Sequence, residues 1–254
     1  MKTMKHLLFC IVGLFLLNCK GKQGDSGTVG PALSGSIKGR VTLTTSNGTQ
    51  LSNMSGVTVT TNTGTSAITD TAGIWTLNET TGIYTITFAK TGYGTTTING
   101  YNFSGGGNSY INGVCLSQAP VYTVSTVLDT IGGNSSSTKD LHMNVNLTVT
   151  GAVGQIEEME FFGYYSTSSV VSSSNYMGMI NIPVPATQLS FKGSITGADF
   201  LSAGIEPGQL VYVVVYPSSS SPTMSSKYVD ENTGRNVYTS LGQASPIQSL
   251  VVPH

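Results

Sequence analysis

The chain has 254 residues, of which 9% are charged and 39% hydrophobic, and its formal net charge is −1. Ser, Thr, Asn and Gly replace the charged residues that make up about 25% of an ordinary globular protein. The hydrophobic share is large enough to build a core, which argues against a disordered polar chain. Lys and Arg form no cluster after residue 18, so the sequence lacks the basic surface expected of a nucleic-acid-binding protein.

Residues 1–18 have the pattern of a secretory signal peptide. A short basic segment precedes an apolar run over 7–17 that is too short to span a bilayer as a helix. The run ends in Leu-Leu-Asn-Cys at 16–19, which resembles the lipobox of bacterial lipoprotein precursors. This resemblance implies that Cys19 receives a diacylglycerol and that the bond before it is cut. Asn18 departs from the Gly, Ala or Ser usual in that family, and an uncleaved signal anchor is the alternative.

Residues 19–34 have the composition of a tether. Glycine occupies every third position at 21, 24, 27 and 30, as in collagen. A triple helix needs this repeat over many triplets, and four triplets with one proline are too few. The segment is therefore predicted to be a flexible spacer with a coil span of roughly 20 Å. Weak trimerisation is the alternative.

Short segments of alternating apolar and polar residues fill 35–117, as expected for half-buried strands. Turn residues separate them at spacings near ten residues, and Asp70–Gly73 is one of these turns. This spacing favours an antiparallel β-sandwich. The predicted strands are Ile37–Leu43, Val57–Val59, Ile74–Leu77, Ile83–Phe88 and Tyr110–Leu116.

Five motifs in this segment follow one another in the order found in carboxypeptidase regulatory-like domains. They are GRVT at 39–42, SGVTV at 55–59, TDTAGIW at 69–75, GIYTITF at 82–88 and KTGY at 90–93. The segment resembles that family, a transthyretin-like β-sandwich common in bacterial surface proteins. The resemblance implies a module without catalysis of its own, because zinc chemistry in metallocarboxypeptidases belongs to a separate domain.

Residues 118–254 are predicted to form an immunoglobulin-like β-sandwich. Apolar and polar residues alternate without a break over Leu141–Val149, which is the cleanest strand pattern in the chain. The segment Ile205–Tyr212 resembles the turn into strand F of fibronectin type III domains. The expected fold is therefore all-β, with two tandem antiparallel β-sandwiches. Further strands are predicted at 155–165, 177–182, 187–195, 210–216 and 245–252.

Residues with catalytic or metal-binding chemistry are few. His142 and His254 are the histidines that remain after the signal, and neither has a Cys, His or acidic neighbour at metal-ligand spacing. No Gly-x-Ser-x-Gly elbow accompanies them. The sequence therefore predicts no catalytic site, no metal and no cofactor. An envelope hydrolase is the remaining enzyme hypothesis, and it would need a pocket joining His142 to acidic groups.

Three further groups have structural interpretations. Cys115 is the one cysteine that follows Cys19 in the sequence, and it is predicted to be a buried thiol. The cluster Glu157, Glu158 and Glu160 is interpreted as the outward face of a strand. The segment Asp230–Gly234 is interpreted as a hairpin turn rather than a calcium loop, because calcium needs six to eight oxygen ligands.

Aromatic residues are the remaining candidates for recognition. Trp75, Tyr93 and Tyr101 are candidate ligand-facing aromatics, with packing in the sandwich core as the competing interpretation.

The predicted function is that of a non-catalytic cell-envelope lipoprotein, a binding, adhesion or scaffold module at the outer membrane or cell surface. A carbohydrate-binding module is the alternative. The expected partners are the membrane, through the lipid, and a polysaccharide or an envelope protein. Further tyrosines of the second domain are aromatic candidates for such binding, among them Tyr164, Tyr165, Tyr176, Tyr216, Tyr228 and Tyr238.

Overall fold

The chain folds almost entirely into β-strands in this computed structural model, which describes residues 30–131, 142–151, 158–185, 189–219, 227–231 and 233–252. The signal peptide, Cys19 and most of the tether lie outside the described residues. No helix among the described residues is long and apolar enough to span a bilayer. Residues from Leu33 onward belong to one compact unit that contains both groups of sheets.

Two sheets form the first sandwich, with strand orders β4-β1-β7 and β3-β2-β5-β6. Its strands are β1 (Ser34–Thr44), β2 (Thr58–Thr61), β3 (Ser66–Ile68), β4 (Ile74–Thr80), β5 (Gly82–Ala89), β6 (Thr96–Phe103) and β7 (Asn108–Ser117). The predicted strands all occur, and β3 and β6 are added to them. The all-β fold class is confirmed.

One strand pair departs from the antiparallel expectation. Strands β1 and β7 pair in parallel from Ser36 opposite Asn108 to Thr44 opposite Ser117, with a register shift between Gly39 and Val41. The other pairs in the two sandwiches are antiparallel among the described strands. Because β1 and β7 are the first and last strands of this sandwich, no tight hairpin joins them and either direction is available.

The turn predicted at Asp70–Gly73 is confirmed in detail. The Asp70 Oδ1 accepts backbone N–H bonds from Ala72 and Ile74 at 2.9 and 2.8 Å. Gly73 has φ +80° and donates its own N–H to the Asp70 carbonyl, at 2.9 Å. Its carbonyl accepts from Val41 at 2.9 Å, which fixes the turn against β1. A short carboxylate side chain and a glycine are what this geometry needs.

The second sandwich has sheets of order β12-β9-β8 and β11-β10-β13-β16, and a separate hairpin of β14 and β15. Its core is distinct from that of the first sandwich. The domain boundary at 117/118 stays a prediction. The elements are β8 (Thr123–Ile131), β9 (His142–Thr150), β10 (Glu158–Ser166), β11 (Gly178–Pro185), β12 (Ser190–Thr196), α1 (Gly197–Ser202), β13 (Leu210–Ser218), β14 (Lys227–Val229), β15 (Asn236–Tyr238) and β16 (Gln248–Val251).

The short helix α1 was not predicted, although its start carries a sequence signal. Thr196 and Asp199 form a capping box in which the Asp199 carboxylate accepts the Thr196 N–H at 2.8 Å. The Asp199 N–H in turn donates to the Thr196 hydroxyl at 3.2 Å. Six residues are too few to show the helical period in the sequence. The helix buries Phe200, whose ring meets Tyr165 edge to face at 5.4 Å.

Hydrogen bonds join the two sandwiches through the segment that includes the β14–β15 hairpin. The Ser240 hydroxyl donates to the carbonyl of Ser117 at 3.2 Å, and the Asn99 amide donates to the carbonyl of Val229 at 3.3 Å. The first bond is buried and the second is exposed. The hairpin segment therefore contacts both sandwiches.

Candidate functional site

Trp75 is not a ligand-facing residue, contrary to one of the two sequence hypotheses. Its side chain is 2% exposed and lies in the core of the first sandwich, edge-on to Phe88 with ring centroids 5.5 Å apart. It faces Gly39 of β1, where an added Cβ would lie 2.7 Å from the indole ring. The missing side chain at position 39 makes the space that admits the indole. The competing core interpretation of Trp75 is therefore correct.

Tyr93 and Tyr101 are half-buried and pack against the same core. The Tyr101 hydroxyl is 2.5 Å from the hydroxyl of Ser109. The Lys90 ammonium lies 5.5 Å from the centroid of the Tyr93 ring, and burial raises the pKa of Tyr93. Both rings therefore have packing roles, and ligand contact by either one stays a prediction.

A second concentration of aromatic side chains lies on the outer face of sheet β11-β10-β13-β16. We call it the tyrosine face. The residues of β10 and β13 alternate between this face and the core, so the two central strands are apolar on both sides. The sequence signal was present, because the runs FFGYY and VYVVVY lack the polar alternation of a solvated sheet. The tyrosine face comprises Phe162, Tyr164, Tyr176, Tyr212, Tyr216 and Tyr238.

The rings of the tyrosine face contact one another. Phe162 stacks on Tyr238 of the hairpin, with centroids 4.1 Å apart and planes 28° apart. Tyr164 meets Tyr176 at 4.9 Å and Tyr216 edge to face at 5.7 Å. Phe162 and Tyr164 are buried, whereas Tyr176, Tyr212, Tyr216 and Tyr238 are half-buried. The half-buried tyrosines therefore form the accessible part of the face.

The Tyr164 hydroxyl is buried and has no hydrogen-bond partner. The side chain is fully buried, and burial raises its pKa, with a further rise from the neighbouring Tyr176, Tyr238 and Tyr216. It is therefore a neutral group that can still donate and accept one hydrogen bond. Leaving such a group unpaired costs about 1–3 kcal/mol.

Polar groups lie at the edge of the tyrosine face. The Asn181 amide donates to Glu160 Oε1 at 2.9 Å, while Glu160 Oε2 is buried without a partner. Burial raises the pKa of Glu160, and the hydrogen bond from Asn181 offsets part of the rise. The Arg235 guanidinium lies 4.7 Å from the centroid of Tyr176 and donates to the carbonyl of the same residue. A carboxyl, an amide and a guanidinium thus lie beside residues of the tyrosine face.

We expect Tyr164→Phe to raise the free energy of unfolding by about 1 kcal/mol, because it removes a buried hydroxyl that lacks a partner. The neighbouring Tyr165 is the matched control, since its hydroxyl donates to the Asp199 carbonyl at 3.2 Å. Tyr165→Phe loses that bond, so we expect it to lower the free energy of unfolding by about 1 kcal/mol. Urea unfolding of the two variants measures both changes. A loss of stability in Tyr164→Phe equal to that in Tyr165→Phe would show that the Tyr164 hydroxyl has a partner.

The other residues that the sequence singled out lie in separate parts of the fold. Cys115 is half-buried, and burial raises the pKa of its thiol, with a partly offsetting hydrogen bond from Thr44. The turn at Asp230–Gly234 is confirmed, because Asp230 Oδ1 accepts the Thr233 N–H at 2.8 Å. Across the described ranges, no three His, Cys, Asp or Glu side chains converge as a metal site.

Several sequence candidates lie outside the described residues. They are Cys19, His254 and Glu157, together with the side chains of His142 and Glu158. The backbones of the last two are described, in β9 and β10. The prediction of lipidation at Cys19 and the hydrolase hypothesis on His142 therefore stay predictions.

Comparisons with known proteins return structural matches of low similarity. A DUF3823 family protein from Parabacteroides merdae is 16% identical, with a TM-score of 0.31, and the match covers 86% of this chain and 99% of that one. A Bacteroides uniformis protein proposed to bind carbohydrate is 11% identical, with a TM-score of 0.33 and coverages of 85% and 98%. A DUF3823 family protein from Bacteroides ovatus is 10% identical, with a TM-score of 0.32 and coverages of 86% and 99%. At this similarity the matches carry no argument about function.

Neither a protein-family model nor a curated protein matches the chain. The resemblance of 35–117 to the carboxypeptidase regulatory-like domain therefore stays a prediction. The β-sandwich architecture itself rests on the strand pairings described above.

Proposed function

We propose that this chain is a non-catalytic lipoprotein of the bacterial cell envelope that binds a ligand through its tyrosine face. The observation that carries the proposal is the group of four half-buried tyrosines, Tyr176, Tyr212, Tyr216 and Tyr238, on the outer side of one sheet. Tyrosine combines a large apolar ring with a hydrogen-bonding hydroxyl and loses little conformational entropy on binding.

The unpaired polar atoms beneath and beside these rings support a binding role. The Tyr164 hydroxyl and Glu160 Oε2 are both buried without hydrogen-bond partners. Native structures pair most buried polar groups, so two unpaired groups at one sheet face need an explanation. Both atoms are covered in the free protein, so a ligand that displaced the covering side chains would recover the hydrogen bonds that these atoms lack.

A polysaccharide is the ligand class that fits this face. Sugar rings present apolar C–H faces and a rim of hydroxyls, which match tyrosine rings bordered by a carboxyl, an amide and a guanidinium. Glu160, Asn181 and Arg235 supply these polar groups. An envelope protein is the other class of partner, and the binding experiment separates the two.

The test is retention of the purified chain on insoluble polysaccharides. We expect Tyr216→Ala and Tyr176→Ala to weaken retention about fivefold or more, as expected for aromatic side chains at the centre of a contact. Tyr110→Ala is the control, because Tyr110 is 64% exposed on β7 of the first sandwich. Equal weakening by Tyr110→Ala would remove the tyrosine face as the binding surface. No retention by the unmodified chain would point to an envelope protein instead.

The lipid anchor is proposed from Cys19 and the apolar run before it. Two or three acyl chains hold a protein durably at a membrane, whereas a single chain is marginal. We expect radiolabelled palmitate to be incorporated by the expressed chain and by a Cys10→Ala control, and to be absent from Cys19→Ala. Incorporation by Cys19→Ala would contradict lipidation at that residue.

We propose the outer membrane or cell surface as the location. Treatment of intact cells with an impermeant protease, followed by immunoblotting, tests this placement. Loss of the sandwiches without lysis would support surface exposure. Protection until lysis would show that the sandwiches face the periplasm.

A further inference from the structure

A cleft of about 400 Å³ opens on the first sandwich where β2 and β5 meet. Thr58 at the start of β2 lies opposite Ala89 at the end of β5, and the chain on either side of this pair forms the walls. Three of the six residues that line it are threonines, and the others are one lysine, one glycine and one alanine. The lining residues are Gly56, Thr58, Ala89, Lys90, Thr91 and Thr95.

Lys90 supplies the positive charge of this cleft. Its ammonium donates to the carbonyl of Ser55 and lies 5.5 Å from the centroid of the Tyr93 ring. An ammonium has three N–H donors, and a neutral carbonyl and a neutral ring leave its charge uncompensated. Tyr93 stays neutral, because burial raises the pKa of its hydroxyl.

The carboxylates of the same sandwich are engaged elsewhere. Residues 34–117 contain only Asp70 and Glu79 as acidic groups. Asp70 Oδ1 accepts two backbone N–H groups of its own turn. Glu79 Oε1 accepts the hydroxyls of Thr61 and Thr63 at 2.8 and 3.1 Å. Within the first sandwich, neither carboxylate therefore pairs with the half-buried Lys90.

We infer that this cleft binds a hexuronate, the acidic sugar unit of many polysaccharides. Its single carboxylate pairs with the Lys90 ammonium, and its hydroxyls hydrogen-bond to the threonines that line the cleft. A charge-assisted bond supplies the affinity, and the hydroxylated lining suits a polyol better than an apolar anion. This subsite uses none of the residues of the tyrosine face. A negative result at one of the two sites therefore leaves the proposal for the other unchanged.

The test is titration of the folded chain with D-glucuronate and with D-glucose, which lacks the carboxylate, followed by NMR. We expect glucuronate to bind at millimolar concentration and glucose about tenfold more weakly, as expected for loss of one charge-assisted hydrogen bond. Lys90→Met keeps the aliphatic stem and removes the charge, and it should weaken glucuronate binding about tenfold. Lys192→Met, at an exposed position of β12, should leave binding unchanged.

A second variant keeps the inference testable if Lys90→Met disturbs the fold. Thr95 is exposed and lines the cleft, so Thr95→Val should lower the affinity for glucuronate without changing thermal unfolding. Three results would overturn the inference: equal binding of glucose and glucuronate, unchanged binding by Lys90→Met, and no binding of glucuronate by the unmodified chain. The polysaccharide assay on the tyrosine face is unaffected by any of them.

Discussion

Replacing Gly73 with alanine is expected to lower the free energy of unfolding of the first sandwich by about 3–4 kcal/mol. Two separate effects add at this position. The backbone has φ +80°, a left-handed conformation that costs an alanine roughly 1–2 kcal/mol. In addition, an alanine Cβ would lie 2.1 Å from the Val41 carbonyl oxygen, and that carbonyl belongs to β1 and cannot move freely.

Gly64 is the matched control for the first of these effects. It lies in the turn between β2 and β3 with φ +92°, and no atom lies within 4 Å of the position of an added Cβ. Gly64→Ala should therefore show only the conformational cost, about 1–2 kcal/mol. Trp75 is the single tryptophan of the chain and is buried in this sandwich, so its fluorescence during urea unfolding measures both variants. Equal losses in the two variants would contradict a steric contribution at Gly73.

Truncating Phe161 to alanine is expected to destabilise the second sandwich by about 3–5 kcal/mol. Phe161 is fully buried at the centre of β10, with its ring 5.9 Å from Tyr122 and 5.0 Å from Phe191. Removing it leaves a cavity among aromatic neighbours that β-sheet geometry holds in place, so little of the space can be refilled.

Calorimetric unfolding measures the Phe161→Ala change, because the second sandwich has no tryptophan. Tyr110→Ala removes an aromatic ring of similar size from an exposed position of a strand, and we expect it to change stability by less than about 0.5 kcal/mol. A comparable loss of stability in both variants would show that burial of the Phe161 ring contributes little to the free energy of unfolding.

Local patterns predicted the strands well, because alternation along a strand is a property of consecutive residues. The segments Ile37–Leu43 and Ile83–Phe88 lie inside β1 and β5, and the alternation over Leu141–Val149 coincides with β9 to within one residue. The Asp70–Gly73 turn was predictable for the same reason, since its hydrogen bonds join residues four positions apart or fewer. These features need no information about the rest of the chain.

Other elements depend on partners far away in the sequence. The parallel pairing of β1 with β7 joins residues about seventy positions apart, and no local motif specifies its direction. The hairpin of β14 and β15 is made of two three-residue strands, which are too short to show a period. Tyr238 at the end of this hairpin stacks on Phe162, so that part of the tyrosine face is created only by folding.

The sequence by itself determined the all-β class, the positions of most strands and the Asp70–Gly73 turn, because all three follow from alternation and turn chemistry among neighbouring residues. Only the tertiary structure decided which aromatic residues are buried. Trp75 fills a space left by Gly39 on the adjacent strand, and Tyr176 and Tyr216 are half-buried on a sheet face that distant segments cover. The side of a sheet on which a residue lies is a local property, but what covers that side is set by chain segments that meet it only in the folded protein.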